Sequence, residues 1–495
     1  MLVCGLAACG GGQPTDVPVT SATRASAVEP LTEPFLPPDE RPLVPWPACV
    51  PSGLGTDYAV GPGQPLTALD QVPWERLAPG DTVRIHHSAT PYRGKFLLAA
   101  RGTAERPVRV CGVRGPQGER PVIDGQDAVT RPALQAAFTA SASDILQRRA
   151  LAMVTTLASD AWTDRPAHLQ IDGLKFTRAQ PAYRFRDAAG ALQTYADFGA
   201  CVWIDRGVHI TIADNELTDC VMGVFSRTTD DGSGAITEHL RLVGNVVHGN
   251  GLVGNESVHN TYTQGLGVVI EHNVFGALRP GARGNAVKDR SAGLVVRYNR
   301  IEEGAHALDL VEAEDFPRLA TSRPEYRTTR VYGNQIRKNG DEGSFFHYGG
   351  DHFGAPAGAN WGESLFRKGT LYFFNNTVYG TGSGARIFQI STTEETVEAW
   401  NNVFWFEPSV TQLNLRQAEN DSLAKTYTPD GILNLGVNWI RTGWTDTTQW
   451  KTLQGQVKGT ANLLTGSPLP FDAATFMPLA RTVKGSKVDL GAVER

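Results

Sequence analysis

The chain has 495 residues, a hydrophobic fraction of 41% and a formal net charge of −5. That length supplies a large core or several domains, while the weakly acidic balance, with no basic tail, argues against a nucleic-acid partner. No apolar run reaches the length of a membrane-spanning helix. The 53 glycines and the short apolar stretches between them point to many short strands and turns.

In chain order, Leu6-Ala7-Ala8-Cys9 followed by Gly10 resembles a bacterial lipobox. The resemblance implies an exported protein lipidated at Cys9, touching a membrane only through that anchor. The charged and apolar regions of a full signal do not precede it, so either an upstream start supplies them or the match is chance. After this segment (1–13), residues 14–47 are rich in Pro, Ser and Thr and read as a flexible tether. Pro65–Leu77 places Leu66, Leu69, Val72 and Trp74 at helical spacing, with Pro73 late in the run. It is expected as a short helix that caps the open edge of a sheet stack. Alternating strands follow at Thr82–Ile85, Val108–Val110 and Pro121–Ile123. Residues 131–160 read as an insertion, helical over Leu134–Leu151.

Six cysteines divide into Cys4 and Cys9 at the extreme N-terminus and Cys49, Cys111, Cys201 and Cys220 in the body. In an oxidising compartment the four allow two disulfides in three connectivities. Cys201 with Cys220, close in sequence, would leave Cys49 to tie to Cys111; four buried free thiols fit as well. No C-x-x-C spacing suggests zinc.

From residue 169 a pattern apolar-x-apolar-x-x-Asn-x-apolar recurs, as in Ile210-Thr-Ile212-Ala-Asp-Asn215-Glu-Leu217 and Leu294-Val-Val296-Arg-Tyr-Asn299-Arg-Ile301. Its asparagines are Asn215, Asn245, Asn273, Asn299, Asn334, Asn376, Asn402 and Asn438, spaced 26 to 42 residues apart. Such a period means a solenoid whose units bury their apolar faces only by stacking. The alternation on each side of the Asn predicts strand–bend–strand, with an Asn that tolerates left-handed angles and bonds the backbone. The pattern resembles the right-handed parallel β-helix of the pectate-lyase-like superfamily. The resemblance implies an all-β β-helix domain over 48–440, followed by a C-terminal cap and tail over 441–495. The handedness comes from that family and accords with the crossover rule. A leucine-rich horseshoe is the rival, but its helical segment is missing from each repeat.

A further strand precedes each repeat. Tyr262 lies 11 residues before Asn273 and Lys288 lies 11 before Asn299, so the two align; Gln264 and Arg290 align in the same way. Residues two apart in a strand share a face. Lys288 and Arg290 therefore point outward and Val287 and Asp289 inward. Extending the alignment gives a column Tyr262, Lys288, Asp309, His347 with strands about 4.8 Å apart. His259 and His306 fall at bends on its margin.

Lyases of uronate polysaccharides need a cation to neutralise the carboxylate, a base for the C5 proton and an acid for the departing oxygen. A lysine with a pKa lowered beside Arg290 in a partly desolvated groove suits the base, and a Tyr or His the acid. The stretch GNAVKDRSAGLVVRYNRIEEGAHALDL resembles the lysine-bearing coil of the chondroitinase B and alginate lyase family, which implies Lys288 as base. That family's arginine on the next coil does not carry over, because its place is taken by Val311. Lys288-Asp-Arg-Ser with His259–Tyr262 is also similar to a second β-helix group, with Lys-Ser-Arg-Ala on one coil and His-x-x-Tyr on the coil before. These comparisons make Lys288, Arg290, Tyr262 and His259 the candidate catalytic residues. Gln264, Asp309, His306 and His347 are the candidate substrate-binding residues.

Structural readings compete with these assignments. Lys288 and Arg290 also suit ion pairs with Asp309 or Asp289, and the two histidines suit turn hydrogen bonding. The acidic run Asp309, Glu312, Glu314, Asp315 suits Ca²⁺ or a solvated loop; no other metal or cofactor is expected. Phe345, Phe346, Tyr348 and Trp361 near His347 suit sugar stacking or core. A hydrolase of polygalacturonase type needs paired carboxylates, and Asp230-Asp231 falls in a loop. The leading expectation is a monomeric, exported lyase of an anionic polysaccharide. A non-catalytic glycan-binding or spacer protein is the alternative.

Overall fold

Alternating apolar residues become three long parallel sheets. The computed structural model describes residues 46–137, 140–354, 362–417, 431–436, 438–440, 443–445 and 457–459, all within one unit, Pro37–Arg495. Cys4, Cys9, Trp361 and most of the expected tether and C-terminal tail lie outside the described residues.

The sheets have 14, 11 and 10 strands. One coil runs through Thr261–Thr263, Val269–Glu271 and Val274–Phe275, and the next through Val287–Asp289, Val295–Arg297 and Arg300–Glu302. Each strand pairs in parallel with its counterpart one coil on. This is a parallel β-helix. Inside, the motif's third position stacks as Ile212, Leu242, Ile270, Val296, Val331, Phe373 and Ala399 in direct register, all essentially buried. Each coil covers the apolar face of its neighbour, which no coil could bury alone. The first sheet runs on to Val457–Gly459, paired with Ile432–Leu435.

The eight asparagines form one buried ladder. Each backbone N–H from Asn215 to Asn402 donates to the side-chain oxygen of the next asparagine, at 2.9–3.1 Å. Each amide nitrogen donates to that same oxygen and to a carbonyl on the preceding coil, such as Asn299 Nδ2 to Ile270 O at 2.9 Å. The left-handed residue is not the asparagine, as expected, but the one before it. Asp214, Gly244, His272, Tyr298, Gly333, Asn375 and Asn401 take φ of 48–67°. The preceding residue makes the bend, and the Asn side chain turns inward to bond.

Three local expectations change. Pro65–Leu77 is two one-turn 3-10 pieces, Leu69–Gln71 and Trp74–Arg76, because Val72 is extended ahead of Pro73. Trp74 still packs into the core and stacks on Phe96, centroids 4.6 Å apart. The insertion is helical over Pro132–Ala137 and Ala140–Arg149, but Ala150–Val154 is a buried strand of the second sheet, paired with Ala200–Ile204. The wholly apolar run ALAMV has no polar face to present, which suits a fully buried strand. The body cysteines form two disulfides, Cys49–Cys111 and Cys201–Cys220, so the free-thiol reading falls. Among the described residues no helix is long and apolar enough to cross a membrane.

Candidate functional site

The second sheet carries the chemistry on its outer face. Register puts Trp203, Phe225, Tyr262, Lys288, Asp309 and His347 in one column, one residue per coil. The column changes character halfway. Trp203 and Phe225 pack with centroids 4.2 Å apart, and Tyr262 meets Phe225 edge-on at 5.4 Å. Below that aromatic shelf the side chains become ionic. A groove of about 820 Å³ opens over both parts, lined by Trp203, Phe225, Tyr262, Lys288, Arg290 and Asp351 among others. A larger cavity of about 1080 Å³ lies over the first sheet. There Arg109 is paired with Asp172, and Arg241 and Arg297 with Glu271, so these charges neutralise one another.

Three cations meet on one carboxylate. Asp351 Oδ2 lies 2.7 Å from Lys288 Nζ, and both Asp351 oxygens lie 3.2 Å from Arg290 Nη2. His352 Nδ1 is 3.0 Å from Asp351 Oδ1. Each cation also has a second anion: Asp309 on Lys288 at 2.8 Å, and Glu312 on Arg290 at 3.2 Å and on His352 at 2.6 Å. Glu314 reaches Arg290 Nη2 at 3.2 Å and His352 Nε2 at 3.1 Å. The Tyr262 hydroxyl accepts from Arg290 Nε at 2.8 Å and donates to Glu314 Oε1 at 3.3 Å. Gln264 Nε2 donates to that hydroxyl at 3.3 Å and to Asp315 at 2.7 Å.

Protonation follows from these contacts. Burial works to lower the Lys288 pKa, but Asp309 and Asp351 outweigh it and hold the amine above its ordinary value. This reverses the expected lowering: an ammonium between two carboxylates keeps its proton. Burial raises Tyr262 to about 12, so its phenol stays protonated. Burial, with the Lys288 charge beside it, lowers His259 to about 3. Its Nδ1 accepts the Asn285 N–H at 2.9 Å, so Nε2 of the neutral ring carries the proton. Hydrogen bonds to Asp351 and Glu312 raise His352 to about 10, making it an imidazolium at neutral pH.

No protein-family model matches the sequence, and no curated protein does. Among solved structures the chain is similar to the alginate lyase from Paenibacillus sp. str. FPU-7, at 13% identity over 68% of this chain and 91% of that one, with a TM-score of 0.43. Pectate lyase Pel9A is 13% identical over 90% and 98%, with a TM-score of 0.41. The Streptococcus pneumoniae surface protein and adhesin PfbA is 9% identical over 77% and 89%, also at 0.41. Likenesses this distant say nothing of activity. The chain's own parallel sheets and asparagine ladder decide its architecture. It is a parallel β-helix.

On this β-helix, Tyr262, His259, Gln264, Lys288 and Arg290 all line the groove. Asp309, His306 and His347 form a layer behind it. His347 Nδ1 lies 2.9 Å from Asp309 Oδ1 and its Nε2 3.3 Å from Ser391 Oγ. His306 Nδ1 lies 3.0 Å from the Ser344 carbonyl, and burial lowers that ring to about 4. Asp289 faces inward and pairs with the fully buried Arg367, so Lys288 takes Asp309 and not Asp289. The acidic run is divided. Asp309 and Glu312 are buried against Lys288, Arg290 and His352, whereas Glu314 and Asp315 face the groove. A Ca²⁺ held by this run would have to displace the chain's own cations. Phe345, Phe346 and Tyr348 are core. Sequence reasoning missed Asp351, His352 and the shelf residues Trp203 and Phe225. The shelf lies off the offset that aligns Tyr262 with Lys288, since Phe225 and Trp203 stand 20 and 12 residues before their asparagines; Asp351 and His352 sit just past a strand end, where no repeat position marks them.

Proposed function

We propose that this groove is the active site of a polysaccharide lyase that cleaves a uronate-containing glycan by β-elimination. The convergence of Lys288, Arg290 and His352 on one carboxylate carries the reading. A uronate bound there has its charge neutralised, which acidifies C5–H and stabilises the enolate-like charge that develops as the proton leaves. Lys288 then acts as a clamp and not as the base. Tyr262 takes the C5 proton while its own passes to Glu314, with Arg290 Nε steadying the phenol oxygen. The electron pair forms C4=C5, the C4–O4 bond breaks, and His352 as imidazolium protonates O4. Trp203 and Phe225 supply an apolar shelf for a neighbouring sugar ring.

One observation favours a second reading. Glu314 and Asp351 both reach Arg290 Nη2 at 3.2 Å, so two carboxylates from different loops stand close together, as a glycoside hydrolase requires. Incubation with a panel of uronate polysaccharides separates the two. Elimination gives ultraviolet absorbance from the new conjugated double bond. New reducing ends without absorbance would mean hydrolysis, and neither product on any glycan that binds would mean a binding protein.

A further inference from the structure

Asp351 differs from the other carboxylates of the cluster. The side chains of Asp309 and Glu312 are 4% and 0% exposed, whereas that of Asp351 is 28% exposed and lines the groove; Glu314, at 27%, lines it too but pairs with Arg290 and His352 and not with Lys288. Without it, Lys288 keeps Asp309, Arg290 keeps Glu312 and Glu314, and His352 keeps Glu312 and Glu314. Asp351 is thus the carboxylate that touches all three cations, and its removal leaves each of them paired while opening a seat shaped for a carboxylate. That seat has a permanent floor, because Lys288 and Arg290 are themselves buried. Glycines flank the residue at Gly349, with φ of 129°, and at Gly354, with φ of 72°, two positions where the backbone can turn with little steric penalty.

We propose that Asp351 is an internal stand-in for the substrate's carboxylate, and that a uronate binds by exchanging with it. The proposal rests on the uronate reading above and adds the basis of its selectivity. Three cations already face four carboxylates, Asp309, Glu312, Glu314 and Asp351, so a fifth anion cannot simply be added. A uronate brings the charge that replaces the one it expels. A neutral sugar brings none; expelling Asp351 would exchange its charge-assisted bonds to three cations for weaker hydroxyl contacts in a partly desolvated groove. The exchange therefore favours acidic over neutral glycans without any steric barrier.

The test is calorimetric titration of wild type, Asp351→Ala and Asp351→Asn with sodium D-galacturonate, D-glucuronate and D-mannuronate. The uncharged parent hexoses serve as controls. Asp351→Asn keeps the side chain's volume, should the alanine variant fail to fold. If the open seat is a tenth populated or less in wild type, both variants bind a uronate about tenfold more tightly or better. The hexoses gain nothing, and adding Arg290→Gln to Asp351→Ala abolishes the gain. Unchanged uronate affinity in the folded variants, or an equal gain for the hexoses, overturns the exchange. The lyase reading fails separately: tighter uronate binding with no unsaturated product from any glycan sinks elimination and keeps the exchange. Elimination with unchanged affinities does the reverse.

Discussion

At the scale of single residues, charge state decides role. Lys288 is clamped as an ammonium, so Lys288→Ala removes the neutralising charge, and Tyr262→Phe removes only the proton-transferring hydroxyl while keeping the ring. On a substrate shown to be cleaved, Tyr262→Phe should lower kcat by about 10²–10⁴-fold, the usual contribution of a general base, with KM little changed. Lys288→Ala should raise KM and lower kcat together. Turnover that survives both substitutions would place the active site elsewhere. A second lysine shows the opposite environment. Lys95 is buried, with its amine 3.7 Å from the Phe185 ring centre and 4.3 Å from that of Tyr195. It has the Gln147 carbonyl as hydrogen-bond acceptor. Those contacts favour the ammonium, but burial dominates and holds the pKa well below 10.5. Because the unfolded chain binds this proton more readily than the folded one, stability rises with pH from the folded pKa up to about 10.5. Thermal unfolding between pH 7 and 10 should show that rise in wild type and a smaller one in Lys95→Met; equal slopes would refute it.

At the scale of elements, the asparagine ladder is the most exacting structure in the chain. Asn299 Oδ1 accepts from Asn273 N at 2.9 Å and Nδ2 at 3.0 Å, while its amide reaches Ile270 O and Asn334 Oδ1, both at 2.9 Å. Asn299→Ala orphans buried donors and acceptors on both neighbouring coils, at about 1–3 kcal/mol for each group left unpaired. Urea unfolding should show a loss of that order, well beyond the few tenths expected of a surface substitution such as Arg184→Ala on an exposed hairpin strand. A negligible loss would mean that water or a shifted bend replaces the ladder. The same element explains the left-handed residues. The bend needs one positive φ per coil, and Gly244 and Gly333 meet it without strain, while His272 and Tyr298 meet it at a steric cost. Those two rings stack on each other at 5.2 Å, which offsets part of that cost.

At the scale of the whole molecule, two disulfides point to an oxidising compartment. Cys49–Cys111 ties the leading segment to strand Val108–Val113, and Cys201–Cys220 holds the start of strand Ala200–Ile204. That chemistry agrees with export, which we propose together with lipidation of Cys9, a residue outside the described part of the chain. Expressed in a bacterium behind a complete signal, the wild type should incorporate labelled fatty acid and Cys9→Ala should not. Equal labelling, or a cytoplasmic pool alone, would overturn the anchor.

The sequence by itself determined the solenoid, the positions of the eight asparagines and the column Tyr262, Lys288, Asp309, His347. A parallel β-helix converts a repeat in sequence into a line in space: once coils stack at a fixed spacing, equal offsets from a shared marker become neighbours. Sequence position also placed Lys288 and Arg290 on one face, because strand alternation is strict. It did not determine what those cations meet. Asp351 reaches Lys288 from more than sixty residues away, His352 joins the cluster through Asp351 and Glu312, and Glu314 lies past the end of strand Leu308–Leu310. The loops between coils vary in length and carry no period, so only the folded chain brings their side chains together. That closure also settled the charge of Lys288. A neighbouring arginine alone would have loosened its proton, and two carboxylates from other coils hold it on.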